Sequence, residues 1–347
     1  MMSEINREMA ICFDDVLLVP QFSDIMSRSE VDISPSVSLT NRLTPLESPI
    51  IAAPMDTVTN AAVAIALYRS GGFAVLHRYN SIEQQVTELK KFNDECGQYA
   101  SIACAVGATG DYLERAQELY EEGCRVFCVD VAHGHHILVK NALSALNNSL
   151  SNIHIMTGNV STLEAFNDLA DWGAASIRAG VGGGSCCTTR IRTGHGIPTL
   201  QTIIDCSKSD RDALLIADGG IRNSGDIVKA LAFGADLIML GSMLSGHNES
   251  PGESIMVNVT WHKMFRGMAS REAQVDWRGK ASVVEGVSTT VPVKGKINNT
   301  LDEISQGIQS GMSYTGTRSL TKFRSRFTYR HVTGNTLAES HPHAKLR

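Results

Sequence analysis

No stretch of this 347-residue chain is apolar for long enough to cross a bilayer as a helix, which takes about 20 consecutive apolar residues. Charge of one sign is also lacking. Against 36 acids stand 31 lysines and arginines, a net charge of −5. That balance excludes a general nucleic-acid binder, whose affinity comes mainly from neutralising phosphates. No CxxC pair is present, and several of the eight cysteines lie inside apolar runs, where thiols pack as small hydrophobes. Residues 1–8 are polar and acid-bearing, unlike a secretory signal. Free thiols in a chain of this kind point to the reducing cytoplasm, not to a disulfide framework. Low-complexity tracts and a convincing second domain are missing as well.

What is present is a rhythm. Short runs rich in aliphatic and β-branched residues occur at 49–53, 73–76, 101–106, 125–130, 153–157, 175–179, 214–218 and 237–241. Amphipathic segments such as 82–92, 111–122, 136–147, 162–172 and 224–234 lie between them. Strands buried on both faces read as continuous apolar runs, and their alternation with helices implies a parallel sheet. Eight such units fit an α/β (β/α)8 TIM barrel, with a doubly wound open sheet as the alternative. Polar and glycine residues follow most of the runs, which favours the barrel, whose sites form at the strand C-termini. The expected organisation is one barrel over 1–347, with an irregular N-terminal arm (1–49), a flap or hairpin (252–300) and a C-terminal tail (313–347). The end of the tail, around 339–343, reads as extended, and the arginines of 324–330 read as a solvated helix end.

The most telling stretch is Gly180-Val181-Gly182-Gly183-Gly184-Ser185-Cys186-Cys187-Thr188-Thr189-Arg190. Its glycines let backbone approach a ligand closely, and thiols and hydroxyls follow at once. Cys187 is the candidate nucleophile, since exposed amides around a thiol favour the thiolate. Cys186 is expected to point into the protein. Thr189 is placed to relay a proton. Asp218-Gly219-Gly220 and Gly241-Ser242, after the seventh and eighth runs, suit a phosphate held by backbone amides, with Ser185 adding a hydroxyl and Asp218 taking ribose hydroxyls. His133, His135 and His136 follow Asp130 without a carboxylate or cysteine at metal-ligand spacing, so loop contacts are expected of them.

At these residues the sequence resembles the IMP dehydrogenase/GMP reductase family. The matching stretches are 13–20, 55–58, 158–160, 180–190, 217–226, 239–246, 267–268 and 314–316, in the family's order along nearly the whole chain. The resemblance implies a tetrameric barrel binding a purine 5'-monophosphate and a nicotinamide dinucleotide, NADPH or NAD. It makes Cys187 the residue that bonds to purine C2, with Thr189 and Glu285 as its acid/base partners. It maps phosphate contacts onto Ser185, Gly219, Gly220, Gly241 and Ser242, ribose onto Asp218, and the base onto Gly267, Met268 and Ser270. Asp130, Gly180, Gly182 and Arg78 fall on the nicotinamide side. Backbone carbonyls of Gly182, Gly184 and Cys187 correspond to a potassium site found in many members.

Two reactions share that scaffold: oxidation of IMP to XMP with NAD, and reduction of GMP to IMP with NADPH and release of ammonia. Dehydrogenases activate water with an Arg-Tyr pair on the flap, and the residues between Met268 and Glu285 contain none. Residues 80–100 leave no room for the regulatory domain pair that dehydrogenases usually insert. Asp130-Val131-Ala132 and Glu285-Gly286-Val287-Ser288-Thr289 also resemble reductases, which makes GMP reductase the preferred expectation. Residues 217–222 and 339–343 look more like dehydrogenases, and Arg78 replaces a lysine common in reductases. IMP dehydrogenase is therefore the alternative, and a nucleotide-binding protein without turnover is the alternative of another class.

Overall fold

The computed structural model describes residues 9–37, 39, 45–97 and 100–341. After a short strand β1 (Val16–Leu18) come the eight expected strands. They are β2 (Ile50–Ala52), β3 (Phe73–Leu76), β4 (Ala103–Val106), β5 (Val126–Asp130), β6 (His154–Val160), β7 (Ser176–Ala179), β8 (Leu214–Asp218) and β9 (Leu237–Leu240). All neighbours are parallel, and β9 pairs with β2 to close the barrel. The one clear difference in extent is β6, which runs on to Val160.

Every residue of β3, β4, β5, β7 and β9 is buried, which is why the runs read as unbroken apolar stretches rather than alternating ones. Alternation survives in which core each residue joins. On β5, Val126 and Cys128 pack inside the barrel with Ile51, Met156 and Met239. Phe127 and Val129 pack outward against the helices. Truncation of an aromatic in so tight a core leaves a cavity, so Phe127→Ala is expected to lower unfolding free energy by about 3–5 kcal/mol in urea titration. A loss under about 1 kcal/mol would mean that the outer core collapses freely around the site.

The ring of helices is α1 (Ala61–Arg69), α2 (Ile82–Cys96), α3 (Tyr112–Glu121), α4 (Ile137–Ser149), α5 (Leu163–Asp171), α7 (Thr199–Cys206), α8 (Ser224–Ala232) and α10 (Ile297–Ser313). The short α6 (Thr189–Thr193) precedes α7. Side-chain caps set several starts: Asn60, Ser81, Thr162 and Asn223 each accept a backbone N–H at the first turn, which satisfies donors that have no helical partner.

Beyond β9 the stretch expected as a flap or hairpin holds a hairpin, a third strand and a helix. Strands β10 (Ser254–Val257), β11 (Thr260–Arg266) and β12 (Ser288–Pro292) form an antiparallel sheet, and α9 (Arg271–Arg278) is inserted between the last two. The end of the 252–300 stretch already belongs to α10.

One reading of the tail is corrected and one is extended. The arginine run at 324–330 spans α11 (Leu320–Arg326) and strand β13 (Tyr329–His331), which pairs with β1 of the arm. Arg326 and Arg330 are exposed, as a solvated helix end implies, while Arg324 is partly covered and donates to Asp236 Oδ1 at 2.8 Å and to the Ala235 carbonyl. Glu339 and Ser340 end a helix, α12 (Asn335–Ser340), where extended chain was expected; residues 342–347 lie outside the described residues. Among the described residues no helix is long and apolar enough to cross a membrane.

Candidate active site

The loop 180–190 leaves the C-terminal end of β7 and lines a cleft of about 990 Å³ over the barrel mouth. Gly180 starts it with φ +141°, and a Cβ there would overlap the Asp218 carbonyl oxygen. Only glycine lets β7 and β8 diverge so closely at this point. Gly219 and Gly220 (φ +88° and +76°) turn beside Gly183 and Gly184, stacking two glycine loops against each other.

The flap is laced onto this loop by backbone bonds. Cys187 faces Gly286 across an antiparallel bridge, Thr188 N–H donates to the Glu285 carbonyl at 2.9 Å, and Val287 N–H donates to the Cys186 carbonyl at 3.0 Å. Arg266 anchors the flap from below, donating to Asp56 Oδ2 at 2.6 Å and to Asp276 Oδ2 at 2.6 Å. The lacing brings Glu285 to Thr189. Cys187 Sγ donates to Thr189 Oγ1 at 3.1 Å, and Thr189 Oγ1 donates to Glu285 Oε2 at 2.8 Å. A thiol, a hydroxyl and a carboxylate thus form one continuous proton path.

Cys186 is buried, as expected; burial pushes its thiol up, against the hydrogen bonds from Ser185 and Gly267. Cys187 is only partly buried and lines the cleft.

Most of the expected residues converge here. Ser185, Asp218, Gly219, Gly220, Gly241, Ser242, Gly267 and Met268 line the cleft with Cys187, Thr189 and Glu285. Asp130, Gly180, Gly182, Gly184 and Arg78 line it as well. Ser270 does not join them. Its hydroxyl is fully buried, accepts from Ala273 N–H at 3.2 Å and caps α9, so it shapes the flap from behind.

Arg78 Nη2 donates to the Asp130 carbonyl at 3.0 Å, and its guanidinium lies 4.9 Å from the Tyr79 ring centroid and 5.1 Å from that of Trp277. Its Nε is buried without a hydrogen-bond partner, 3.9 Å from Asp130 Oδ2. Asn159 Oδ1, also in the cleft, is likewise unpaired. Orphaned buried polar atoms are rare, and these two leave one donor and one acceptor beside the cleft without a protein partner. Of the histidines, His135 Nε2 bonds Asp168 Oδ2 at 2.8 Å, His136 caps α4, and His133 lines the cleft. No group of three or more metal-ligating side chains occurs among the described residues.

Sequence reasoning passed over Arg178 and the side chain of Asn159. Arg178 Nη1 donates to Asp130 Oδ1 at 2.5 Å, while its Nε and Nη2 donate to Asp218 Oδ2 at 3.0 and 2.9 Å. Burial alone would raise the Asp130 carboxyl, but the Arg178 and Arg78 charges outweigh it and hold Asp130 below its ordinary value. Asn159 Nδ2 donates to Asp218 Oδ2 and to the Gly180 carbonyl, both at 2.8 Å. The available signal was one arginine inside an apolar strand run, a charge that a barrel buries only when it is paired.

Together these features define a (β/α)8 barrel with a relayed thiol at its C-terminal mouth. Residues 10–343 match the family described as the IMP dehydrogenase / GMP reductase domain. The inosine-5'-monophosphate dehydrogenase of Cryptosporidium parvum is 33% identical, covering 97% of this chain and 96% of the relative. That of Borreliella burgdorferi is 31% identical, covering 99% and 98%. A crystal structure of GMP reductase from Trypanosoma brucei in complex with guanosine 5'-monophosphate superposes with a TM-score of 0.90 at 28% identity, covering 98% of both chains. The chain belongs to the IMP dehydrogenase/GMP reductase family of oxidoreductases.

Proposed function

We propose that the protein is a GMP reductase, converting GMP and NADPH to IMP, ammonia and NADP⁺ through a covalent bond from Cys187 to purine C2. The observation that carries this reading is the path Cys187–Thr189–Glu285, closed at 3.1 and 2.8 Å with the sulfur in the cleft. The thiol proton passes through Thr189 to Glu285, and the thiolate adds to C2. Thr189 and Glu285 return the proton to the 2-amino group, the C2–N bond breaks, and ammonia leaves a thioimidate on Cys187. When bound, the reduced nicotinamide supplies the hydride that C2 requires. The C2–S bond then breaks as IMP forms, and the released thiolate takes up a proton from solvent to restore the thiol.

The phosphate is assigned to the glycine turns at Gly184–Ser185, Gly219–Gly220 and Gly241–Ser242, and the ribose to Asp218. All three bonds that Asp218 accepts fall on Oδ2, which leaves Oδ1 for hydroxyls. Arg78 and Asp130 are assigned to the dinucleotide side. In its polar groups the flap offers the cleft Gln274, Trp277, Arg278, Ser282 and Glu285. Its single carboxylate is already tied to Thr189, an arrangement suited to expelling ammonia and lacking an evident second group to activate water.

Arg278 favours the second reading, IMP dehydrogenase. It lines the cleft with its guanidinium 4.2 Å from the Trp277 ring centroid, where it could orient a hydrolytic water. The two are separated by a paired assay at the reduced-nicotinamide absorbance band. The expected result is loss of absorbance with GMP and NADPH and release of ammonia; a gain with IMP and NAD, and none of the former, would reverse the assignment. The tetramer, a cytoplasmic location and a potassium ion on the Gly182, Gly184 and Cys187 carbonyls belong to the same proposal.

A further inference from the structure

Arg178 bridges the two carboxylates assigned to the two halves of the cleft, Asp130 and Asp218. It enters from β7 with its side chain only 9% exposed, between Asp130 at the end of β5 and Asp218 at the end of β8, themselves 12% and 15% exposed. The guanidinium divides its donors: Nη1 to Asp130, Nε and Nη2 to Asp218. Burial alone would lower its affinity for a proton, but the two carboxylates outweigh that and raise it, so the group is a fixed cation. Asp130 is held further by the Tyr79 hydroxyl, which donates to Oδ2 at 3.3 Å.

The geometry points to Arg178 as a positioning residue that couples the two binding events, so that nucleotide at Asp218 and dinucleotide at Asp130 each tighten the other. The inference rests on the purine reading above. A ribose hydroxyl donating to Asp218 Oδ1 reinforces the orientation in which Oδ2 accepts from Arg178 and Asn159. The bidentate contact then fixes the guanidinium, and Nη1 fixes Asp130. The second ligand meets a partner that is already ordered, so its binding costs less conformational entropy. Such coupling is reciprocal by thermodynamic necessity.

GMP and NADP⁺ together cannot react, because the nucleotide needs a hydride that the oxidised dinucleotide lacks. Calorimetry can therefore read both affinities on the intact protein. The expected result is an NADP⁺ dissociation constant about 5-fold or more lower at saturating GMP, with the same factor for GMP at saturating NADP⁺. In Arg178→Lys the rigid planar fork that fixes both carboxylates in one geometry is replaced by a rotatable ammonium on a flexible stem, so the factor should fall to within about 2-fold of unity. Asp130→Asn, which removes one end of the bridge but leaves the Arg178–Asp218 contact, should do the same and serves if the lysine variant does not fold. Independent binding in the unaltered protein, or full coupling kept by either folded variant, overturns the inference. Failure of GMP to bind at all instead removes the purine reading, and this inference with it.

Discussion

Cys187→Ala is expected to lower kcat by on the order of 10⁴-fold or more while GMP still binds, because the covalent route to C2 needs the sulfur and nothing else in the cleft replaces it. Cys187 is partly exposed and its side chain bonds Thr189 Oγ1, so its loss should leave the fold intact. The distinguishing pattern is therefore an inactive protein with a normal melting curve and nearly unchanged GMP affinity by calorimetry. Turnover within about 10-fold of the unaltered protein would exclude Cys187 as the nucleophile.

Interrupting the proton path comes next in size. Glu285→Gln keeps the shape and the hydrogen bond to Thr189 but removes the base, and Thr189→Val removes the relay. Each is expected to lower kcat by about 10²–10⁴-fold, the range for a positioned acid/base group. The double variant should be far less than multiplicatively impaired, since both side chains serve one path. Steady-state kinetics on the two single variants and the double variant read this directly. Multiplicative losses would mean that Thr189 and Glu285 act separately, whatever their 2.8 Å contact.

The sequence made the barrel legible because burial on both faces erases the usual alternation. Runs such as 73–76 and 237–240, alternating with amphipathic segments, read as interior strand, and their endings, His77-Arg78 and Gly241-Ser242, mark the open face. The loop around Cys187 was legible for a similar local reason: glycines, thiols and hydroxyls crowd into one turn. The flap was harder. Its three strands and inserted helix are fixed by pairing with one another and with residues 186–188, and no local pattern encodes a partner so distant in sequence. Glu285 and Thr189 stand 96 positions apart, so only the family resemblance linked them before the backbone bonds did. Arg178 was lost inside an otherwise apolar run, where the strand signal outweighed the one charge. The capping role of Ser270 was hidden because a helix inside the flap was not expected.

A crystal structure of the protein with GMP tests the central claim most directly. The account predicts purine C2 within about 3.5 Å of Cys187 Sγ, a near-attack distance, with the phosphate between the turns at Gly220 and Gly241 and the ribose at Asp218. A purine ring seated away from the sulfur, or a phosphate bound elsewhere in the cleft, would contradict it.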